Sequence, residues 1–306
     1  MNTSMNSGKS TTSSRGLQQI MQQHSLLFFF LMAYAFSWIL SIPVVLSEWH
    51  ILPKTAFTFN FFFIIKSFGP FLAAYIMTRI TEGKEGWRAL RSRFILFRVG
   101  WQWYVFILLG IPALLLLGVI VLPGALASFQ SLPPHFLIIY LISFIVIFFG
   151  GGPLGEEPGW RGFALPRMQS RYGALWGTLL LGILWTFWHL PDFFTSAQKG
   201  GPGTGLYPFY NGLPVFFLEV IALAIIFTWV FNHTAGSIFV AILLHTSYDA
   251  FGILQSLFSA QIVTSTDMPF AISAGVLALL IVILTRGQLG YQPIHEHPLS
   301  KGKIEM

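Results

Sequence analysis

The 306-residue chain contains no cysteine, which excludes disulfides, thiolate metal ligands and a cysteine nucleophile together. Charge is nearly as scarce: Asp, Glu, Lys and Arg make up 9% of the residues, against roughly 25% in soluble proteins. A soluble domain of this length would carry a charged shell around its core. Here 55% of the residues are hydrophobic and 32 are phenylalanine, so lipid takes the place of that shell and the chain is an all-α, polytopic membrane helix bundle. The net charge of +6 does not point to nucleic acid, because most of the basic residues flank apolar runs, where they orient spans and meet anionic lipid.

Residues 1–24 are polar and rich in Ser, Thr and Gln, a composition that predicts a disordered tail. The run from Leu26 to Leu46 is longer than the about 7 to 15 residues of a signal-peptide core, and reads as an uncleaved first transmembrane helix. Windows of about 20 apolar residues, enough to cross roughly 30 Å of hydrocarbon, place further spans near 57–78, 103–122, 136–156, 173–191, 214–231, 236–256 and 268–285. The expected organisation is a tail at 1–24, a bundle of about eight helices at 25–286, and a C-terminal tail at 287–306.

Short cytoplasmic loops accumulate Lys and Arg. An inside N-terminus puts Lys9, Arg15, the cluster Arg79, Lys84, Arg88, Arg91, Arg93 and Arg98, then Arg161, Arg167, Arg171, Arg286, Lys301 and Lys303 on one side. Only Lys54 and Lys199 fall opposite, with Lys66 inside a span. The chain is therefore expected in the cell membrane with both termini cytoplasmic. Within Trp87 to Val99, arginines alternate with Leu90, Phe94, Ile95 and Phe97 at roughly helical spacing, which suits a helix lying in the interface and equally a charged loop that fixes topology.

Ionised groups within spans are costly and mark functional sites by default. Glu156-Glu157-Pro158-Gly159-Trp160-Arg161 follows the apolar run Phe136 to Gly150. Glu157 and Arg161 are four apart and suited to pair, which leaves Glu156 without a partner. His189 ends the segment Trp185-Thr186-Phe187-Trp188-His189. His245 and Asp249, again four apart, share one helical face. A bundle can gather these groups around a water-filled cavity. There a carboxylate can take a proton from water, imidazoles can orient that water or meet an oxyanion, and two His, a Glu and an Asp would form a zinc shell with an open position. Lys66 and Glu219 are the other charges inside spans, and an ion pair between them is expected.

The pattern resembles the CPBP intramembrane proteases (CAAX protease and bacteriocin-processing, also called Abi), which carry Glu-Glu-x-x-x-Arg, Phe-x-x-x-His and His-x-x-x-Asn/Asp motifs on separate helices. Here these look like Glu156-Glu157-x-x-x-Arg161, Trp185-x-x-x-His189 and His245-x-x-x-Asp249, and the resemblance covers about residues 135 to 255. Trp185 stands where Phe is usual, and Asp249 where Asn is common. Unlike Asn, an ionised Asp only accepts hydrogen bonds, which favours metal ligation or orientation of His245.

The resemblance implies hydrolysis of peptide bonds in a membrane-anchored protein or peptide, with Glu156 as the base and His189 positioning the water. Glu157 and Arg161 would support the base, while His245 and Asp249 would stabilise an oxyanion or complete a metal site. It leaves both a Zn2+ mechanism, with Glu156, His189, His245 and Asp249 as ligands, and a metal-free glutamate mechanism open. The rivals are a transporter or channel with a polar midplane path and a non-catalytic immunity or scaffold relative. No internal repeat of the kind transporters carry is found. Two expectations concern depth: a fourth span ending near 156 puts Glu156 at the cytoplasmic end, with a site opening to the cytosol, whereas His189 counts to the far end of its helix.

Overall fold

The computed structural model describes residues 10–150, 152–264 and 266–292. It is all-helical among these residues, with eight helices long and apolar enough to cross a membrane. In chain order, α1 is Ser10–Gln23 and α2 is Ser25–Glu48. Next come α3 (Phe61–Thr81), the short α4 (Gly83–Ser92) and α5 (Trp101–Ile120). The rest are α6 (Phe136–Tyr172), α7 (Ala174–Phe194), α8 (Pro208–His233), α9 (Ile238–Gln255) and α10 (Asp267–Leu284). All but α1 and α4 are spans.

The segment expected to be a disordered tail is helical from Ser10, and Gln22 Nε2 donates to the Ile80 carbonyl at 2.9 Å, tying α1 to the end of α3. Residues 1–9 and 293–306, parts of the two expected tails, lie outside the described residues. Leu289 is fully buried and its carbonyl accepts from Asn232 Nδ2 at 2.9 Å, so the chain remains packed on the bundle beyond α10. Of the segment expected to lie in the interface, α4 buries Leu90 while Arg88 and Arg91 stay exposed, but regular helix ends at Ser92, so that Ile95 and Phe97 stand exposed beyond it.

The largest departure from expectation is α6. Its first part, Phe136–Phe149, buries no residue and presents Leu137, Ile138, Leu141, Ile142, Ile145 and Val146 outward, as a lipid-facing helix must. Regular helix ends at Phe149 and restarts at Gly152. It then runs through Glu156 and a π-helical stretch, Pro158–Ala164, to Tyr172. Extra residues in a π turn free backbone carbonyls and commonly mark functional positions.

The second half of α6 is packed backbone to backbone against α3. A Cβ at Gly159 would meet Pro70 Cβ at 2.5 Å and the Pro70 carbonyl oxygen at 2.6 Å. Such small-residue contact substitutes in a membrane for the hydrophobic drive between helices. Hydrogen bonds add specificity: Ser37 Oγ donates to the Lys66 carbonyl at 2.7 Å, Trp38 Nε1 to the Trp188 carbonyl at 2.9 Å, and Ser247 Oγ to the Ile107 carbonyl at 2.6 Å. Ile107 lies within a second π turn, Phe106–Gly110 in α5.

At one end of the bundle, Arg93 fastens three segments together. Its guanidinium donates to the Gly236 carbonyl at 2.7 Å, between α8 and α9, and to the Gly162 carbonyl at 3.1 Å in α6. Arg167 bridges to Glu82 at the same end. The basic residues of separate loops are thus gathered on one face.

Candidate active site

The continuation of α6 removes the depth difficulty. Glu156 precedes the turn at Gly173 by 17 residues and His189 follows it by 16, about 25 Å along each antiparallel helix at 1.5 Å per residue. The two residues therefore stand at one level in the bundle. Glu156 is in mid-bundle, not at the cytoplasmic end where the hydropathy window stops.

Glu156 is 4% exposed, and its Oε2 accepts from Trp185 Nε1 at 2.8 Å and Trp160 Nε1 at 3.2 Å. Oε1 is left without a hydrogen-bond partner among the described residues. A Cβ built on Gly152 would stand 4.0 Å from Oε1 and 3.6 Å from Asp249 Oδ2, so this glycine leaves open the space that both carboxylates face.

Glu157, fully buried, accepts through Oε1 from Arg161 Nη1 at 3.0 Å, as its spacing predicts. The same oxygen meets His245 Nδ1 at 2.8 Å. Sequence spacing pairs His245 with Asp249 instead, but Asp249 Oδ2 is 3.8 Å from His245 Nε2, beyond hydrogen-bond reach. The Arg161 guanidinium lies 4.2 Å from the Trp185 ring centroid and 4.5 Å from that of Phe227. Two aromatic faces thus supply the cation with attraction that water would otherwise provide.

His189 is held by residues the motifs do not contain. Its Nδ1 is 3.0 Å from Asp192 Oδ2, and Asp192 Oδ1 is paired with Lys66 of α3. Lys66 and Asp192 are 5% and 7% exposed. The expected Lys66–Glu219 pair is therefore not formed. The turn after His189 places Asp192 one helical step from the imidazole, in line with Lys66, whereas Glu219 accepts a hydrogen bond from Tyr248. Asp192 directly follows the expected 173–191 span, a local position that any reading of the sequence shows. Its partner is not local, because Lys66 of α3 is 126 residues away.

Trp185 connects the group. Its ring centroid is 6.4 Å from that of His189 and 5.6 Å from that of His245. A cavity of about 340 Å³ runs past Trp185, His189, His245 and Asp249, then Phe216 and Glu219, to Lys199, Gly212 and Asp267. It opens where α7 ends and α8 and α10 begin, the end of the bundle away from Arg93. The expectation that the site opens on the arginine-rich face is thus corrected, because on that side Trp160, Arg161, Phe163 and Ala164 are all 0% exposed and fill the space.

Among the described residues, no three His, Asp or Glu side chains converge as ligands of one metal ion would. Glu156 is turned to two indoles, His189 to Asp192, and His245 to Glu157. The expected zinc shell of Glu156, His189, His245 and Asp249 is not assembled in this arrangement.

Residues 134–251 match the family model of type II CAAX prenyl endopeptidase Rce1-like proteins. The segment that carries the three motifs is thus similar to type II CAAX prenyl endopeptidases. Over 224 residues the chain is 27% identical to a protein of Methanococcus maripaludis named CAAX prenyl protease 2, covering 67% of this chain and 78% of that relative. The matched segment contains every candidate residue from Glu156 to Asp249 and leaves out Lys66. The eight apolar helices make the chain an integral membrane protein, and its residues 134–251 are similar to a peptidase family.

Proposed function

We propose that the chain is an intramembrane endopeptidase that hydrolyses peptide bonds of a membrane-anchored protein or peptide with Glu156 as the base. The observation that carries this assignment is the side-chain arrangement at Glu156. One oxygen is fixed by two indole N–H groups and the other is free, at the level of His189 from a neighbouring helix. A base must be both oriented and unblocked toward its water.

In the reaction, the His189 Nδ1–H donates to Asp192, leaving Nε2 to accept from the attacking water. Glu156 Oε1 removes a proton from that water as its oxygen bonds to the carbonyl carbon. The carbonyl electron pair moves onto oxygen, and the imidazolium of His245, donating through Nδ1–H to Glu157, meets this oxyanion from Nε2. Glu156 then gives its proton to the amide nitrogen, the oxyanion re-forms the carbonyl as the C–N bond breaks, and the acid product passes its remaining proton to the amine, so that a carboxylate and an ammonium leave. Glu157 and Arg161 act by fixing His245 and do not exchange protons with substrate.

No step is routed through a metal, because the donors do not converge on one. Metal analysis of the purified protein, with a chelator arm, tests that choice: stoichiometric zinc together with chelator-sensitive cleavage would overturn it. The assignment itself is tested by cleavage of a membrane-tethered substrate by wild type, Glu156→Ala, His189→Ala and His245→Ala. Cleavage should fall by at least about a hundredfold in each, the usual scale of a general acid or base. Unchanged cleavage in all three would remove these residues from the chemistry.

A further inference from the structure

The two ends of the bundle differ in a way that bears on which segments can reach the site. From Glu157 toward the arginine-rich end, α6 is packed solid by fully buried Trp160, Arg161 and Phe163, and Arg93 closes the helix ends through Gly162 and Gly236. Toward the opposite end the cavity is continuous from His245 and Asp249 to Lys199 and Asp267. The side chains of Lys199 and Asp267 are 51% and 52% exposed at its mouth, and that of Asp249, in mid-bundle, is still 34% exposed. Among the described residues, the cavity beside His189, His245 and Asp249, the neighbours of the candidate base, thus opens at that end.

The positive-inside rule tells which face this is. Arg79, Lys84, Arg88, Arg91, Arg93, Arg98, Arg167, Arg171 and Arg286 all lie in or beside connections at the closed end. The connections at the open end carry only Lys54 and Lys199, and in this structure both are paired with acids, Glu48 and Asp267. Such an excess of Lys and Arg in short loops marks the cytoplasmic side. The open end is then extracytoplasmic.

We propose that the substrate enters from the extracytoplasmic face, so that the bond cut lies in an extended juxtamembrane segment on that side of a membrane-anchored protein or peptide. The cut itself rests on the hydrolytic function proposed above. The sidedness of the cavity rests on geometry and charge and is measured without catalysis.

The absence of cysteine makes the measurement free of background. Single cysteines at Lys199→Cys, at the mouth, and Phe216→Cys, on the cavity wall, are compared with Arg91→Cys on the arginine-rich side. A membrane-impermeant maleimide and a small charged methanethiosulfonate are applied to right-side-out vesicles before and after lysis. Lys199→Cys and Phe216→Cys should label before lysis and Arg91→Cys only after it. The reverse pattern, or a Phe216→Cys that labels only from the Arg91 side, overturns the proposal.

A second arm uses full-length protein in sealed proteoliposomes of known orientation, with reporters whose cleavable segment lies on one face or the other. Cleavage should be confined to the reporter displayed on the Lys199 side and abolished by Glu156→Ala. Cutting of the other reporter overturns the proposal. Outward labelling with neither reporter cut would defeat the hydrolytic assignment, and the substrate class with it, while leaving the cavity's orientation established.

Discussion

Trp185 shows what a single side chain changes. As an aromatic in place of Phe it looks conservative, because the ring would wall the cavity equally well. The indole N–H, however, donates to Glu156 Oε2 at 2.8 Å, and no phenyl ring can do so. A hydrogen bond to a charged group contributes roughly 1.5–3 kcal/mol, so Trp185→Phe should lower kcat by about tenfold to a hundredfold if that bond orients the base. KM should stay close to wild type, while the thermal midpoint falls modestly, because the phenyl ring fills less of the buried space between His189 and His245. Steady-state kinetics beside a thermal melt separates the two. A loss of stability without a kcat effect would make Trp185 a packing residue only.

At the scale of elements, the spans were legible in the sequence because lipid imposes one long apolar run per crossing, and all eight are present. Their lengths were less so. A hydropathy window ends the fourth span at Glu156, yet the helix continues to Tyr172, with Glu157 Oε1 shared by Arg161 and His245 inside the bundle and the Arg161 guanidinium held between the Trp185 and Phe227 rings. Charges that cancel in space do not cancel in a linear average. The local spacing at 157/161 predicts the ion pair that forms, whereas contacts between distant helices, such as Glu157–His245, carry no periodic signal.

The buried Lys66–Asp192 pair between α3 and the end of α7 is of this hidden kind. Removing one partner of a buried ion pair costs about 3–5 kcal/mol through the charge left behind. Lys66→Met should therefore lower stability by about that amount and displace His189 together with Asp192. The double variant Lys66→Met/Asp192→Asn, which leaves no bare charge, should recover much of the stability while cleavage stays impaired. Denaturation in detergent with activity measured on the folded fraction decides this. Full activity in a restabilised double variant would detach the pair from His189.

At the scale of the whole molecule, the chain is a bundle closed at one end and open at the other, and Arg93 is the closure. The guanidinium reaches two carbonyls on different segments and sits 5.0 Å from the Phe231 ring centroid, so α4, α6 and the α8–α9 connection share one fastening. Arg93→Ala would leave the Gly162 and Gly236 carbonyls without that donor, at a cost of about 2–4 kcal/mol for two charge-assisted bonds partly replaced by water. Arg93→Lys should restore only part of this, because an ammonium lacks the planar fork that spans both carbonyls. Glu156 lies six residues before Gly162 and is held by indoles rather than by the fastening. Activity per folded molecule should therefore be unchanged while the thermal midpoint falls in the order wild type, Lys, Ala. If kcat of the folded Ala variant dropped in parallel with stability, the closed end would be shaping the site as well as sealing it.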